Sequence, residues 1–190
     1  MAFPLWPTVF LFPLALCFYY FLLAGARTFE HSPADDLGAG LAQFSFLVTG
    51  TLGTLFFGYR ATVPPANAVI SAALMLCSLA LYTWVRRTVK ERRFHIAWSG
   101  EVPDAVCEHG PYRYVRHPAY ASYMLAFAAM LAALPKWPVL AVFLFNVALF
   151  VHAARDDERS LAGSALAGEY ARYKHRTGMF LPRIGARDTG

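Results

Sequence analysis

Arg113, Arg116 and His117 lie within Gly110-Pro-Tyr-Arg-Tyr-Val-Arg-His-Pro-Ala-Tyr120, on the threshold of an apolar run that begins at Ala119. Cationic side chains beside apolar sequence are costly unless they hold something polar or charged at a membrane surface. Pro118 biases His117 away from the helical region and Pro111 stiffens the entry, so the segment reads as a shaped loop. A helical turn between the prolines would put Arg113 on one face with Arg116 and His117. A basic anchor for lipid headgroups would need only the charges. The glycine, the two prolines and the three tyrosines around them suit a binding loop.

A second cluster, His152-Ala-Ala-Arg-Asp-Asp-Glu-Arg-Ser-Leu161, follows another apolar run. On a continuing helix His152, Arg155 and Arg159 share one stripe, with Glu158 three residues from Arg155. Arg155 and Glu158 are therefore candidate catalytic residues, whereas Asp156 and Asp157 are expected on other faces. Beyond them Leu166, Tyr170 and Tyr173 form an amphipathic stripe that can lie back on a membrane surface. Gly178 is expected to end that helix, with Phe180-Leu181-Pro182 as an apolar plug. Cys17, Cys77 and Cys107 have no paired spacing, which argues against a disulfide framework or a zinc site, and no metal is expected. Gly38-Ala-Gly40 is too short for a phosphate loop and reads as a helix start.

The elements that must position these clusters are membrane helices. Of 190 residues, 57% are hydrophobic and only 15% charged, far from the balance of a soluble domain. Uncharged runs at Met1–Ala26, Leu37–Tyr59 and Ala61–Val85 are each long enough to cross a bilayer core of about 30 Å. Ala119–Leu134 and Pro138–Ala154 are shorter and are joined by Pro135-Lys136-Trp137, which makes them a helical hairpin. The expected fold is all-α: a polytopic membrane bundle of about five transmembrane helices with a C-terminal cytosolic amphipathic helix. It forms one domain over 1–190, with three spans in 1–85, a basic segment and loop in 86–118, the hairpin in 119–154 and a tail in 155–190. Basic residues concentrate in Arg86–Arg116 and from Arg155 onward, so both clusters belong on the cytoplasmic side, with the N-terminus external. The net charge of +5 is thus topological, and nucleic acid is not an expected partner.

The loop Gly110–Tyr120, then Asp157-Glu-Arg-Ser-Leu, Glu169-Tyr-Ala-Arg-Tyr-Lys-His-Arg and Leu181-Pro182 together resemble the isoprenylcysteine carboxyl methyltransferase family, whose relatives include bacterial phospholipid N-methyltransferases. Trp98-Ser99 also fits, and the resemblance runs from Phe94 onward. It implies a membrane-embedded methyltransferase using S-adenosylmethionine without a Rossmann domain, and a lipophilic acceptor entering from the bilayer among the membrane lipids. It further implies that Tyr112, Arg113, Tyr114, Arg116, His117, Glu158 and Tyr170 bind the cofactor, with Leu181 and Pro182 in a C-terminal lid. Three departures stand out: Asp157-Glu158 where the family has paired glutamates, Ser122 where it has glycine, and Ala165–Gly168 where it has Phe-Gly.

Arg155-Asp-Asp-Glu-Arg also resembles a stretch of NADPH-binding sterol reductases, but Gly110-Pro-Tyr-Arg-Tyr and the rest of the tail favour the methyltransferase. A non-enzymatic membrane scaffold would leave two converging polar clusters without a purpose. A carboxylate or thiolate acceptor needs no general base, whereas a phospholipid ammonium must first lose a proton. With no unassigned buried base in the sequence, an oxygen or sulfur nucleophile such as an isoprenylcysteine-like carboxylate or thiol is expected.

Overall fold

The computed structural model describes residues 16–21, 23, 41, 43–52, 63–92 and 105–183. Two short helical stretches, α1 (16–21) and α2 (43–52), precede α3 (Pro65–Arg92), α4 (Pro118–Ala133), α5 (Trp137–Ala162) and α6 (Ala167–Arg176). A 3-10 turn at Gly110–Arg113 leads into α4. The described residues contain no strand, only an isolated parallel bridge between Val115 and Gly178. Prolines start the elements where their missing N–H is harmless: Pro65 opens α3, Pro118 opens α4 and Pro138 sits in the first turn of α5.

Two helices, α3 over Pro65–Val89 and α5, are long and apolar enough to cross a membrane; α4, at 16 residues, is shorter. Most of the two expected N-terminal spans lies outside the described residues, as do Trp98 and Ser99 and the side chains of Lys90–Arg93. The third expected span is present but extends through the basic run to Arg92, so part of the expected loop 86–118 is helix.

α3 packs most extensively on α4. Small residues allow the approach: Ser122, Ala126, Ala129 and Ala133 are all buried on α4. Polar side chains on one face of α3 then bond across the gap. Asn67 Nδ2 donates to the Ala132 carbonyl (2.8 Å), Ser71 Oγ to Ala129 (2.7 Å) and Ser78 Oγ to Ser122 (2.6 Å). Such bonds contribute about 0.6 kcal/mol each inside a membrane. An aromatic core of Phe18, Phe21, Phe46, Tyr82, Tyr123, Phe127 and Phe150 ties α1 and α2 to the hairpin. On α5 the buried positions Asn146, Phe150, Ala154 and Glu158 recur every four residues. The face that packs in the apolar part of α5 therefore continues directly into the polar turn beyond Ala154.

Candidate functional site

The loop before α4 is built around two constraints. Gly110 has φ +58°, and a Cβ there would collide with the Thr88 hydroxyl on α3. Only glycine meets both conditions without strain. The 3-10 turn that follows buries Pro111 and Tyr112 and leaves Arg113 and Tyr114 exposed. The backbone then joins the tail in a parallel bridge: Arg116 N–H donates to the Gly178 carbonyl (2.9 Å) and His117 N–H to that of Met179 (3.0 Å). Gly178 is glycine because the Leu181 carbonyl lies where a Cβ would stand.

Beneath that bridge lies a buried ionic latch. Arg116 Nε donates to Glu158 Oε1 at 2.7 Å and Lys174 Nζ donates to Oε2 at 2.6 Å, which binds the loop, α5 and α6 through one carboxylate. Arg116 Nη1 also donates to the Thr177 carbonyl. The Arg116 and Glu158 side chains are only 8% and 6% exposed. Burial alone would raise the Glu158 pKa, but His117, Lys174 and Arg116 outweigh it and hold the carboxyl far below the usual range. Tyr173 completes the latch by donating its hydroxyl to the Tyr112 carbonyl (2.7 Å). Burial pushes the phenols of Tyr112, Tyr170 and Tyr173 up.

His117 sits at the rim of this network. Its ring is stacked on Tyr120 (5.6 Å, 11°) and covered by Phe180 (6.0 Å). Nδ1 is 3.9 Å from Asp157 Oδ2, and Nε2 is 3.6 Å from Glu158 Oε1. The Tyr120 hydroxyl holds Asp157 Oδ2 at 3.1 Å. Three buried polar atoms here have no hydrogen-bond partner among the described residues: Tyr112 Oη, His117 Nε2 and Tyr170 Oη.

Beside the latch opens a cavity of about 530 Å³, lined by Gly110, Arg113, Tyr114, Tyr173, Thr177 and Pro182 together with Glu108, His109, Arg176 and Arg183. Its volume falls within the range of small-molecule sites. Arg113 forms no ion pair among the described residues. Tyr114 is half exposed and lies 6.2 Å from the Trp84 ring of α3. Glu108 accepts from Arg176 Nη2 at 2.9 Å through both oxygens.

The residues singled out by sequence thus divide into two groups. Tyr112, Arg116, His117, Glu158 and Tyr170 converge in the latch, while Arg113, Tyr114 and Pro182 line the cavity. Two of the others stay out. Arg155 is exposed, and the partners expected of it at Glu158 are Arg116 and Lys174 instead. Leu181 is 78% exposed, so of the apolar plug only Phe180 reaches the site. Asp157, assigned by helical spacing to another face, reaches His117 and Tyr120, because the site wraps around more than one face of α5. Tyr170 and Tyr173 are both buried within the protein, Tyr173 bonded to the loop and Tyr170 packed beside it, which leaves neither for a membrane surface. Lys174 lies in the C-terminal motif Glu169–Arg176, but nothing in the spacing links it to Glu158.

Membrane-spanning helices ending in a converged ionic site and an open cavity set the context for comparison with known proteins. No curated protein matches the chain. Residues 66–162, just over half of it, match the model of the phospholipid methyltransferase family, and cover α3, the loop, the hairpin and the latch carboxylate. The chain belongs to the phospholipid methyltransferase family, a family of membrane methyltransferases.

Proposed function

We propose that this protein is an integral membrane methyltransferase that uses S-adenosylmethionine and transfers the methyl group to a lipophilic acceptor arriving from the bilayer. The observation that carries this reading is the cavity beside Arg113, formed where the loop and the tail meet at the end of the membrane helices. Its donor set fits the cofactor. An exposed guanidinium at Arg113 suits a carboxylate, and the Tyr114 ring suits a flat or cationic group.

When bound, the cofactor supplies an electrophilic methyl group on a sulfonium. The protein supplies position and dryness. Arg113 and Tyr114 bind and orient, Pro182 and Thr177 close one wall, and the latch keeps the tail over the loop. Glu158 acts by holding Arg116 and Lys174 in place. An oxygen or sulfur nucleophile, a carboxylate or thiol on an isoprenylcysteine-like molecule, is the acceptor proposed from sequence. The latch and cavity lie on the cytoplasmic side in this reading, with the N-terminus external, because the basic segments flank the hairpin.

Thermal unfolding of the purified protein in detergent tests the proposal. S-adenosylhomocysteine at a hundredfold excess over its Kd should stabilise it by about 2.7 kcal/mol, and NADPH should not. Stabilisation by NADPH alone would replace a methyltransferase with a reductase.

A further inference from the structure

Charge around the cavity is out of balance. Glu108, Arg113, Arg176 and Arg183 bring charge to its lining, together with the imidazole of His109. Glu108 and Arg176 cancel each other, since one guanidinium nitrogen donates to both carboxylate oxygens at 2.9 Å. Arg113 from the loop and Arg183 from the tail remain, both exposed and neither in an ion pair among the described residues. Arg183 is also held in place. The tail backbone is anchored to the loop at Gly178 and Met179, turns back where the Leu181 carbonyl approaches Gly178, and passes through Pro182, whose φ is fixed. Arg183 Nη1 then donates to the His175 carbonyl at 2.7 Å, which leaves the rest of the guanidinium fork for a ligand. The proposed cofactor answers only one of these two cations. It brings a single carboxylate, suited to Arg113, along with an ammonium and a sulfonium, so it enters as a net cation. Its arrival adds to the positive charge already lining the cavity.

We propose that Arg183 forms an anion subsite in this cavity, separate from the carboxylate position at Arg113, and that it takes an oxyanion, phosphate or carboxylate, of a second ligand. The inference rests on the methyltransferase reading and adds a binding residue to that site. A guanidinium fork matches either oxyanion through two parallel hydrogen bonds. An anion seated at Arg183 removes the repulsion between the two uncompensated cations and attracts the cationic cofactor, so the two ligands bind better together than apart. Two sources carry such an oxyanion: the headgroup of an amphiphile arriving from the bilayer, and free phosphate arriving from water.

The test is calorimetry of S-adenosylmethionine binding in dodecyl maltoside micelles, run alone, with dodecyl phosphate mixed into the micelles, and with inorganic phosphate at the same concentration. An anion should tighten binding about tenfold, within the usual span of coupling between two ligands. Arg183→Gln should abolish that tightening and Arg183→Lys should keep part of it. Tightening by dodecyl phosphate alone assigns the subsite to an amphiphile's headgroup, and tightening by inorganic phosphate assigns it to an anion reached from water. Without any added anion, Arg183→Gln should bind the cofactor about threefold more tightly than wild type, because one repelling cation is gone. A tenfold loss there would put Arg183 on the cofactor itself and overturn the subsite. Equal tightening in wild type and Arg183→Gln would trace the effect to the charge of the micelle and overturn it as well. S-adenosylhomocysteine is titrated in parallel. If wild type binds neither form of the cofactor, the methyltransferase reading falls; if it binds them and responds to neither anion, this inference alone falls.

Discussion

The latch and the cavity draw on the same short loop yet handle charge in opposite ways. Arg116 points inward, where it meets a carboxylate, a backbone carbonyl and the tail, while Arg113, three residues earlier, is left exposed at the cavity without an ion pair among the described residues. A buried charge persists only when paired and hydrogen-bonded. Arg116 and Glu158 are therefore committed to each other and to structure, and Arg113 is the cation still available to a ligand. The division explains how one motif can build a site and fill it. Residues 112 and 115–117 anchor the tail, and residues 113 and 114 present the binding groups.

The largest effect should come from breaking the latch. Glu158→Gln leaves Arg116 buried without its anion and should destabilise the fold by about 3 kcal/mol, read as a lower Tm. It should also speed tryptic cleavage at Arg172, Lys174 and Arg176 as α6 comes loose. The same carboxylate gives a pH dependence. Its folded pKa lies below its unfolded value, so its contribution is fully present above about pH 4.3 and is lost as the pH falls toward the folded value. Stability of the wild type should therefore decline progressively below that pH, and the Glu158→Gln variant should lack this component of the decline.

A smaller cost should attend the turn that divides the two regions. Gly110→Ala places a side chain at φ +58° and against Thr88, which should cost about 2 kcal/mol. Tyr173→Phe removes the bond to the Tyr112 carbonyl and should cost about 1 kcal/mol in thermal unfolding. Arg155→Ala should change Tm by less than about 0.5 kcal/mol equivalent, since the side chain is exposed and outside both regions. A loss as large as that of Glu158→Gln would restore Arg155 to the latch.

Sequence made the helical hairpin legible, because apolar runs and proline punctuation mark Pro118–Ala133 and the start of α5 directly. The convergence of the loop with Glu158 was legible too, since charges flanking one hairpin must emerge on one side of a membrane. Three features were not. Helical spacing alone paired Arg155 with Glu158, yet a neighbour on the same helix lost to Arg116 and Lys174, which come from other elements and reach a buried carboxylate. The α6 stripe of Tyr170 and Tyr173 is buried, but periodicity does not say whether protein or lipid covers it; here protein does, and the loop binds Tyr173. Asp157 sits between faces, where a stripe drawn on a helical wheel gives no answer.

Calorimetry of S-adenosylhomocysteine binding to wild type, Arg113→Ala and Arg155→Ala tests the division of labour most directly. Arg113→Ala should lose about 1.5–3 kcal/mol of binding free energy, the worth of a charge-assisted hydrogen bond, while its Tm without ligand stays that of wild type. Arg155→Ala should bind normally. Wild-type affinity in Arg113→Ala would contradict the assignment of the open cavity beside the latch as the cofactor site.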